Sequence, residues 1–303
     1  MRELPSTLSA VGLFVVLSYT LTFGLFMLWW VVLKRSGEKL SSLADSAAFN
    51  AVMTSFMFMP LLSLCLLSLT YGQLEVFAGF VFTWLKIDLK SLILFLLAPI
   101  PPIVALVLYM EVTSVMGMIE ANALKQIAGL ERFASVKTLK ILGMGYAAGV
   151  TVNALLALGE EFGWRAYLMP SLTRHVEILG SVIIVGIVWG LWHVPVILSA
   201  KPLLERYFPW MTLELVLVSN VVSCIVLSYP LYFLLISSGS VLPPAAFHGT
   251  VNALWQIPQF VTRVSSKHRY RDLAKIALTS VLAWSIAIIV TLTIGESCSN
   301  LIP

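Results

Sequence analysis

Residues 141–169 read ILGMGYAAGVTVNALLALGEEFGWRAYLM, apolar enough to cross a bilayer yet carrying Glu160, Glu161 and Arg165. A membrane helix needs about 20 mainly apolar residues. A single charge at its centre costs roughly 2.5–3.5 kcal/mol on insertion scales. Nothing in packing requires that cost, so ionisable groups placed so close together mark a functional site. His193 and His248 also fall in hydrophobic segments, which points to chemistry carried out within the bilayer.

The composition fixes the class. Of 303 residues, 59% are hydrophobic and 11% charged, where a soluble domain carries about 25% charged residues. The net charge of +4 comes from Lys and Arg spread over short loops. They form no patch or known binding motif, which argues against nucleic acid as a partner and for the lipid bilayer. Cys65, Cys224 and Cys298 have no metal-type spacing and give no disulfide framework. The uncharged run 4–33 is too long for a signal-peptide core and is expected to be a retained first span.

The pattern predicts an all-α, polytopic membrane protein with about eight transmembrane helices, near 8–33, 47–71, 91–112, 141–169, 178–200, 212–237, 241–262 and 274–294. Residues 74–85 are too short to cross and should lie at the interface. Residues 115–130 set Val115, Met118, Ile119, Ile127 and Leu130 among Glu120, Lys125 and Gln126, the pattern of an amphipathic helix on the membrane surface. Pro99, Pro101 and Pro102 should kink or break the third span. Loops after the first, third, fifth and seventh segments hold 14 of the 19 Lys and Arg residues, which puts them on the cytoplasmic side. Three parts are expected: residues 1–140 with three spans and the interfacial segment, a core at 141–262 whose spans 4–7 bundle around the site, and a last span within 263–303. The pairs Gly145/Gly149, Gly159/Gly163 and Gly186/Gly190 predict close packing, with the fourth and fifth spans in a tight central bundle.

Helical geometry divides the polar residues. Adjacent Glu160 and Glu161 point about 100° apart. Glu161 and Arg165 stand at i,i+4, in the better order for an ion pair, so Arg165 neutralises one carboxylate and Glu160 is left to face a cavity. His248 and Asn252, also at i,i+4, present an imidazole and a carboxamide on one helical face. A carboxylate in an apolar pocket is a usable base near neutral pH, and it could take a proton from water and return it to a leaving amine. His193 could share or orient that water, and His248 and Asn252 could donate to an oxyanion. Any of these residues alone is commonly structural. Their coincidence at similar expected depth in consecutive segments argues for a shared site.

The stretch Gly-Glu-Glu-Phe-Gly-Trp-Arg-Ala-Tyr-Leu-Met-Pro at 159–170 resembles the E-E-x-x-x-R motif of the CPBP family, the CAAX proteases and bacteriocin-processing enzymes also called abortive-infection proteins. Trp-Gly-Leu-Trp-His at 189–193 is similar to the family's F-x-x-x-H, with Trp189 standing where Phe is usual. His-Gly-Thr-Val-Asn at 248–252 is similar to H-x-x-x-N. The resemblance covers roughly 147–262. It implies an intramembrane endopeptidase in which Glu160 and His193 activate water and His248 and Asn252 form the oxyanion hole, with Glu161, Arg165 and Trp189 in support. The implied partner is a peptide or a prenylated CAAX-type protein. The implied location is a multi-pass membrane position, the cell membrane in a prokaryote. No metal cofactor is expected, because H-E-x-x-H is absent; zinc held by Glu160, His193 and His248 is the alternative. Some members of the family have lost activity, so a non-catalytic scaffold or immunity protein is the second reading. A transporter is the third, disfavoured by the lack of paired halves in the hydropathy pattern.

Overall fold

The computed structural model describes residues 4–36, 47–130, 133, 135–207, 212–265 and 267–301, and these form helices with no strand among them. Among the described residues five helices are long and apolar enough to cross a membrane: Leu8–Val32, Leu89–Val115, Ile178–Ser199, Leu213–Ser238 and Arg269–Asn300. Two further pairs, Ala51–Met57 with Met59–Thr70 and Val136–Gly149 with Val152–Thr173, are each bent by 49° and bring the number to seven if each pair is one span. The chain is therefore an all-α, multi-pass membrane protein.

The count of eight is not reached because 241–262 does not form one helix. Leu242–Leu254 is followed by the short Gln256–Val261. At 1.5 Å per residue the first is about 20 Å long, short of the ~30 Å hydrocarbon layer. Pro258 lacks an N–H for the ladder, and Thr262 then leaves the helix to form an antiparallel bridge with Ile119. The expected break at Pro99 is real but mild: helices Leu89–Leu97 and Ile100–Val115 run on as one 27-residue span.

By internal contacts the chain divides into two compact units, residues 1–86 with 156–235 and 239–241, and residues 87–155 with 236–238 and 242–303. In the first unit, Leu8–Ser36 lies along Met59–Thr70. Its Phe14 is fully buried, edge-on to Trp164 and Tyr167. The helix Leu213–Ser238 starts on Thr212, whose hydroxyl accepts from Leu215 N–H. It ends at Gly239, whose φ of 65° is the left-handed cap that favours glycine. Its contact with the helix Ile178–Trp192 depends on Gly186 and Gly190, where a Cβ would strike the backbone of Ile225 and Val221. Gly159 and Gly163 instead meet Met57, Phe58 and Pro60. The glycine pairs thus mark close approaches, as expected, but each faces its own partner rather than the fourth segment facing the fifth. A small-residue stripe fixes how near a helix can come, not which helix comes.

In the second unit, Arg269–Leu301 lies along Ile100–Val115, and Leu242–Leu254 packs on Val136–Gly149 and Leu89–Leu97. Leu89–Leu97 begins on a reciprocal cap, in which Asp88 Oδ1 accepts from Ser91 N–H and Ser91 Oγ accepts from Asp88 N–H. Gly145 and Gly149 admit Leu254 and Thr250. The core gathers Leu106, Tyr109, Met110, Leu124, Leu130 and Leu254. Within 115–130, Val115 ends the preceding helix and is exposed, Ala121–Ala128 is helical, and Met118, Leu124 and Leu130 are buried inside the unit. The side chains of Gln126 and Ile127 lie outside the described residues.

Gly186→Ala should lower the melting temperature of the purified protein, since overpacking a tight contact costs about 1–3 kcal/mol. Gly24, with nothing within 4 Å of an added Cβ, should accept alanine without loss. Equal melting temperatures for the two variants would remove the close-approach argument.

Candidate active site

The helix Val152–Glu161 passes directly into a π-helical segment, Phe162–Leu168. Pro170 has no N–H with which to continue an α ladder, and Met169 N–H reaches back five residues to the Trp164 carbonyl. Short π segments of this kind are frequent at functional sites. All seven of its residues are buried.

Glu160 is 2% exposed, and Glu161 and Arg165 are fully buried. Arg165 Nη1 lies 3.3 Å from Glu161 Oε1, the ion pair that the i,i+4 spacing predicts. The guanidinium carbon also lies over the Trp189 ring of the neighbouring helix, 3.8 Å from its centroid. Among the described residues its N–H groups make no regular hydrogen bond. The carboxylate and the indole face are therefore what hold the charge, and a desolvated cation over an indole gains about 2 kcal/mol.

Trp189 also serves the other glutamate. Its Nε1–H donates to Glu160 Oε2 at 2.6 Å, a buried, charge-assisted bond. The adjacent carboxylates are thereby separated, Glu161 towards a cation and Glu160 towards a neutral donor. The sequence marks Trp189 as a packing residue; it carries no sign that the indole N–H would point at Glu160.

His193 sits at the break between Ile178–Trp192 and Val194–Tyr207, where Pro195 interrupts the ladder. It is half-buried, with its ring among Phe56, Trp189 and Trp192. Its Nδ1 stands 2.9 Å from the Trp189 carbonyl. A carbonyl only accepts, so Nδ1 carries the hydrogen, and whenever the ring is neutral Nε2 is its basic nitrogen. The break leaves carbonyls that lipid cannot satisfy. Asn220 Nδ2 donates to the Gly190 carbonyl at 2.8 Å and Tyr19 Oη to that of Val188 at 2.7 Å. Trp192 Nε1 donates to Thr22 Oγ1. Asn220 and Thr22 were not singled out by the sequence, although a polar side chain within an apolar span is itself a signal.

His248 and Asn252 lie in the second unit, on Leu242–Leu254, with His248 buried and Asn252 half-buried. Asn153 Nδ2 donates to the Gly249 carbonyl next to His248, a second polar support the sequence did not mark. Among the described residues no three His, Cys, Asp or Glu side chains are grouped as metal ligands. A cavity of about 810 Å³ in the first unit, lined by Phe80, Trp84, Tyr167 and Arg174 among others, does not include Glu160 or His193.

Glu161→Gln leaves Arg165 buried without its counter-charge, and Arg165→Ala does the same to Glu161. Each should cost about 3–5 kcal/mol of stability. Glu160→Gln keeps an acceptor for the Trp189 N–H and should melt near wild type. Thermal unfolding in detergent tests the contrast, and a wild-type melting temperature for Glu161→Gln would discard it.

Residues 143–254 match the family model for type II CAAX prenyl endopeptidase Rce1-like. A 43-residue stretch is 44% identical to the CAAX prenyl protease 2 of Methanococcus maripaludis. That match covers 14% of this chain and 16% of the relative, so it spans well under two thirds of the relative's length. The matched segment contains all three motifs in order, with Glu160, His193 and Asn252 inside it. The segment 143–254 is thus similar to the Rce1-like type II CAAX prenyl endopeptidases and lies in a multi-pass integral membrane protein.

Proposed function

We propose that the chain is an intramembrane endopeptidase that hydrolyses a peptide bond of a membrane-associated protein, with Glu160 as the base. One observation carries the reading: of two adjacent buried carboxylates, Glu161 forms the ion pair with Arg165, while Glu160 accepts a hydrogen bond from the neutral Trp189 N–H. The match to the type II CAAX prenyl endopeptidase model supports a prenylated CAAX-type protein as the substrate.

Glu160 takes a proton from water as the water oxygen bonds to the scissile carbonyl carbon. His193, basic at Nε2, orients that water. His248 and Asn252 donate to the oxyanion, the role the family resemblance implies for them. When the C–N bond breaks, the proton on Glu160 passes to the departing amine. The products are a new carboxylate and a new amino terminus, and no serine or cysteine nucleophile takes part. The reaction is proposed to need no metal, in keeping with the absence of H-E-x-x-H from the sequence.

Purified protein in detergent should cleave a quenched fluorescent peptide bearing a prenylated CAAX end. Glu160→Gln should reduce kcat by at least about 10³-fold while the protein stays folded. No cleavage by folded wild-type protein of prenylated or unmodified peptides would favour a scaffold or a transporter. Wild-type turnover by Glu160→Gln would reassign the base.

Exhaustive chelation should leave most activity, and added zinc should inhibit by occupying His193 and His248. Activity lost on chelation and restored by about one equivalent of zinc would make Glu160, His193 and His248 candidate ligands instead.

A further inference from the structure

Trp189 stands where the resembling motif has phenylalanine, and what it does there requires an indole. Its N–H donates to Glu160 Oε2 at 2.6 Å, its ring face lies 3.8 Å from the Arg165 guanidinium, and its carbonyl accepts from His193 Nδ1 at 2.9 Å. The side chain is 2% exposed. A phenyl ring could lie under the guanidinium, though more weakly, but it has no hydrogen to donate. We propose that Trp189 is a positioning residue for the reaction: its N–H fixes Glu160 Oε2 and so aims Oε1 at the water, while its ring keeps Arg165 on Glu161 and off Glu160. The proposal rests on Glu160 being the base.

The physical argument is one of competing partners. Arg165 is the nearest cation to two adjacent carboxylates. A guanidinium that swung to Glu160 would tie up both of its oxygens in a fork and take the counter-charge away from buried Glu161. The indole blocks that swing by occupying the guanidinium face and Oε2 together. The cation on its face also polarises the ring and strengthens the N–H as a donor. Its backbone carbonyl meanwhile sets the tautomer of His193, so a single residue orders both groups that are to meet the water.

The test compares Trp189→Phe with Trp189→Leu, assayed on the same prenylated peptide. Phenylalanine is the residue of the resembling motif, so the fold should accept it. Trp189→Phe should lower kcat by about 10–100-fold, the worth of a hydrogen bond to a charged group, with KM within about twofold and a melting temperature above that of Trp189→Leu. Trp189→Leu removes the seat of Arg165 as well and should also melt lower. A second measurement needs neither variant to fold. The indole N–H band in ultraviolet resonance Raman, taken as wild type minus Glu160→Ala, should show a strongly hydrogen-bonded tryptophan lost from the variant. Wild-type kcat in Trp189→Phe, a loss shared equally by KM or by melting temperature, or a flat difference spectrum overturns the proposal. Activity retained by Glu160→Gln fails the underlying reading instead, so the two failures are told apart.

Discussion

Arg165 is a fully buried guanidinium, and much of the geometry around it follows from the need to hold that charge. In a low-dielectric interior an unpaired charge costs several kcal/mol even after relaxation. Glu161 supplies the counter-charge from one turn back on the same helix, and Trp189 supplies the π face from another. Once the ring is placed for the cation, its N–H edge is placed for Glu160, and its backbone carbonyl is placed for His193. The positions of Glu160 and His193 are thus tied to the neutralisation of a buried arginine.

Broken helices are the second constraint, and they are held to the same standard. A break inside lipid exposes backbone groups that have no water to turn to. Near His193 the Gly190 carbonyl accepts from the His193 N–H and from Asn220 Nδ2, and Tyr19 Oη donates to the carbonyl of Val188 in the helix before the break. Gly186 and Gly190 let Leu213–Ser238 come close enough for the Asn220 bond to form. Small residues and polar residues here work together: the first set the distance and the second use it.

What the sequence disclosed follows from the range of the physics involved. The Glu161–Arg165 pair was readable because i,i+4 proximity is local and survives the passage into π-helix. The long spans were readable because their hydropathy is a sum over many residues. The segment 241–262 was misread because hydropathy does not register that the helix ends after Leu254. Along the stripe at 115–130 amphipathicity shows that an apolar face exists and not what covers each residue; here Leu124 and Leu130 enter the core with Leu106 and Met110 while Val115 stays exposed. Trp189 was the hardest case. Its N–H bond joins residues 29 apart in sequence, and no periodicity encodes the direction of an indole edge.

The distribution of partners over the two glutamates has a chemical logic of its own. Two carboxylates side by side in an apolar setting cannot both remain charged without help, and one arginine can neutralise only one of them. Giving the cation to the residue assigned to catalysis would make that residue a poor base, since a full positive charge stabilises the carboxylate against taking a proton. A neutral N–H fixes the carboxylate in place with a much smaller effect of that kind. The arrangement therefore pairs the cation with Glu161 and gives Glu160 a neutral donor. The same reasoning explains why a ring with both a face and a donor edge suits position 189: the face and the edge serve two neighbours whose requirements are opposite.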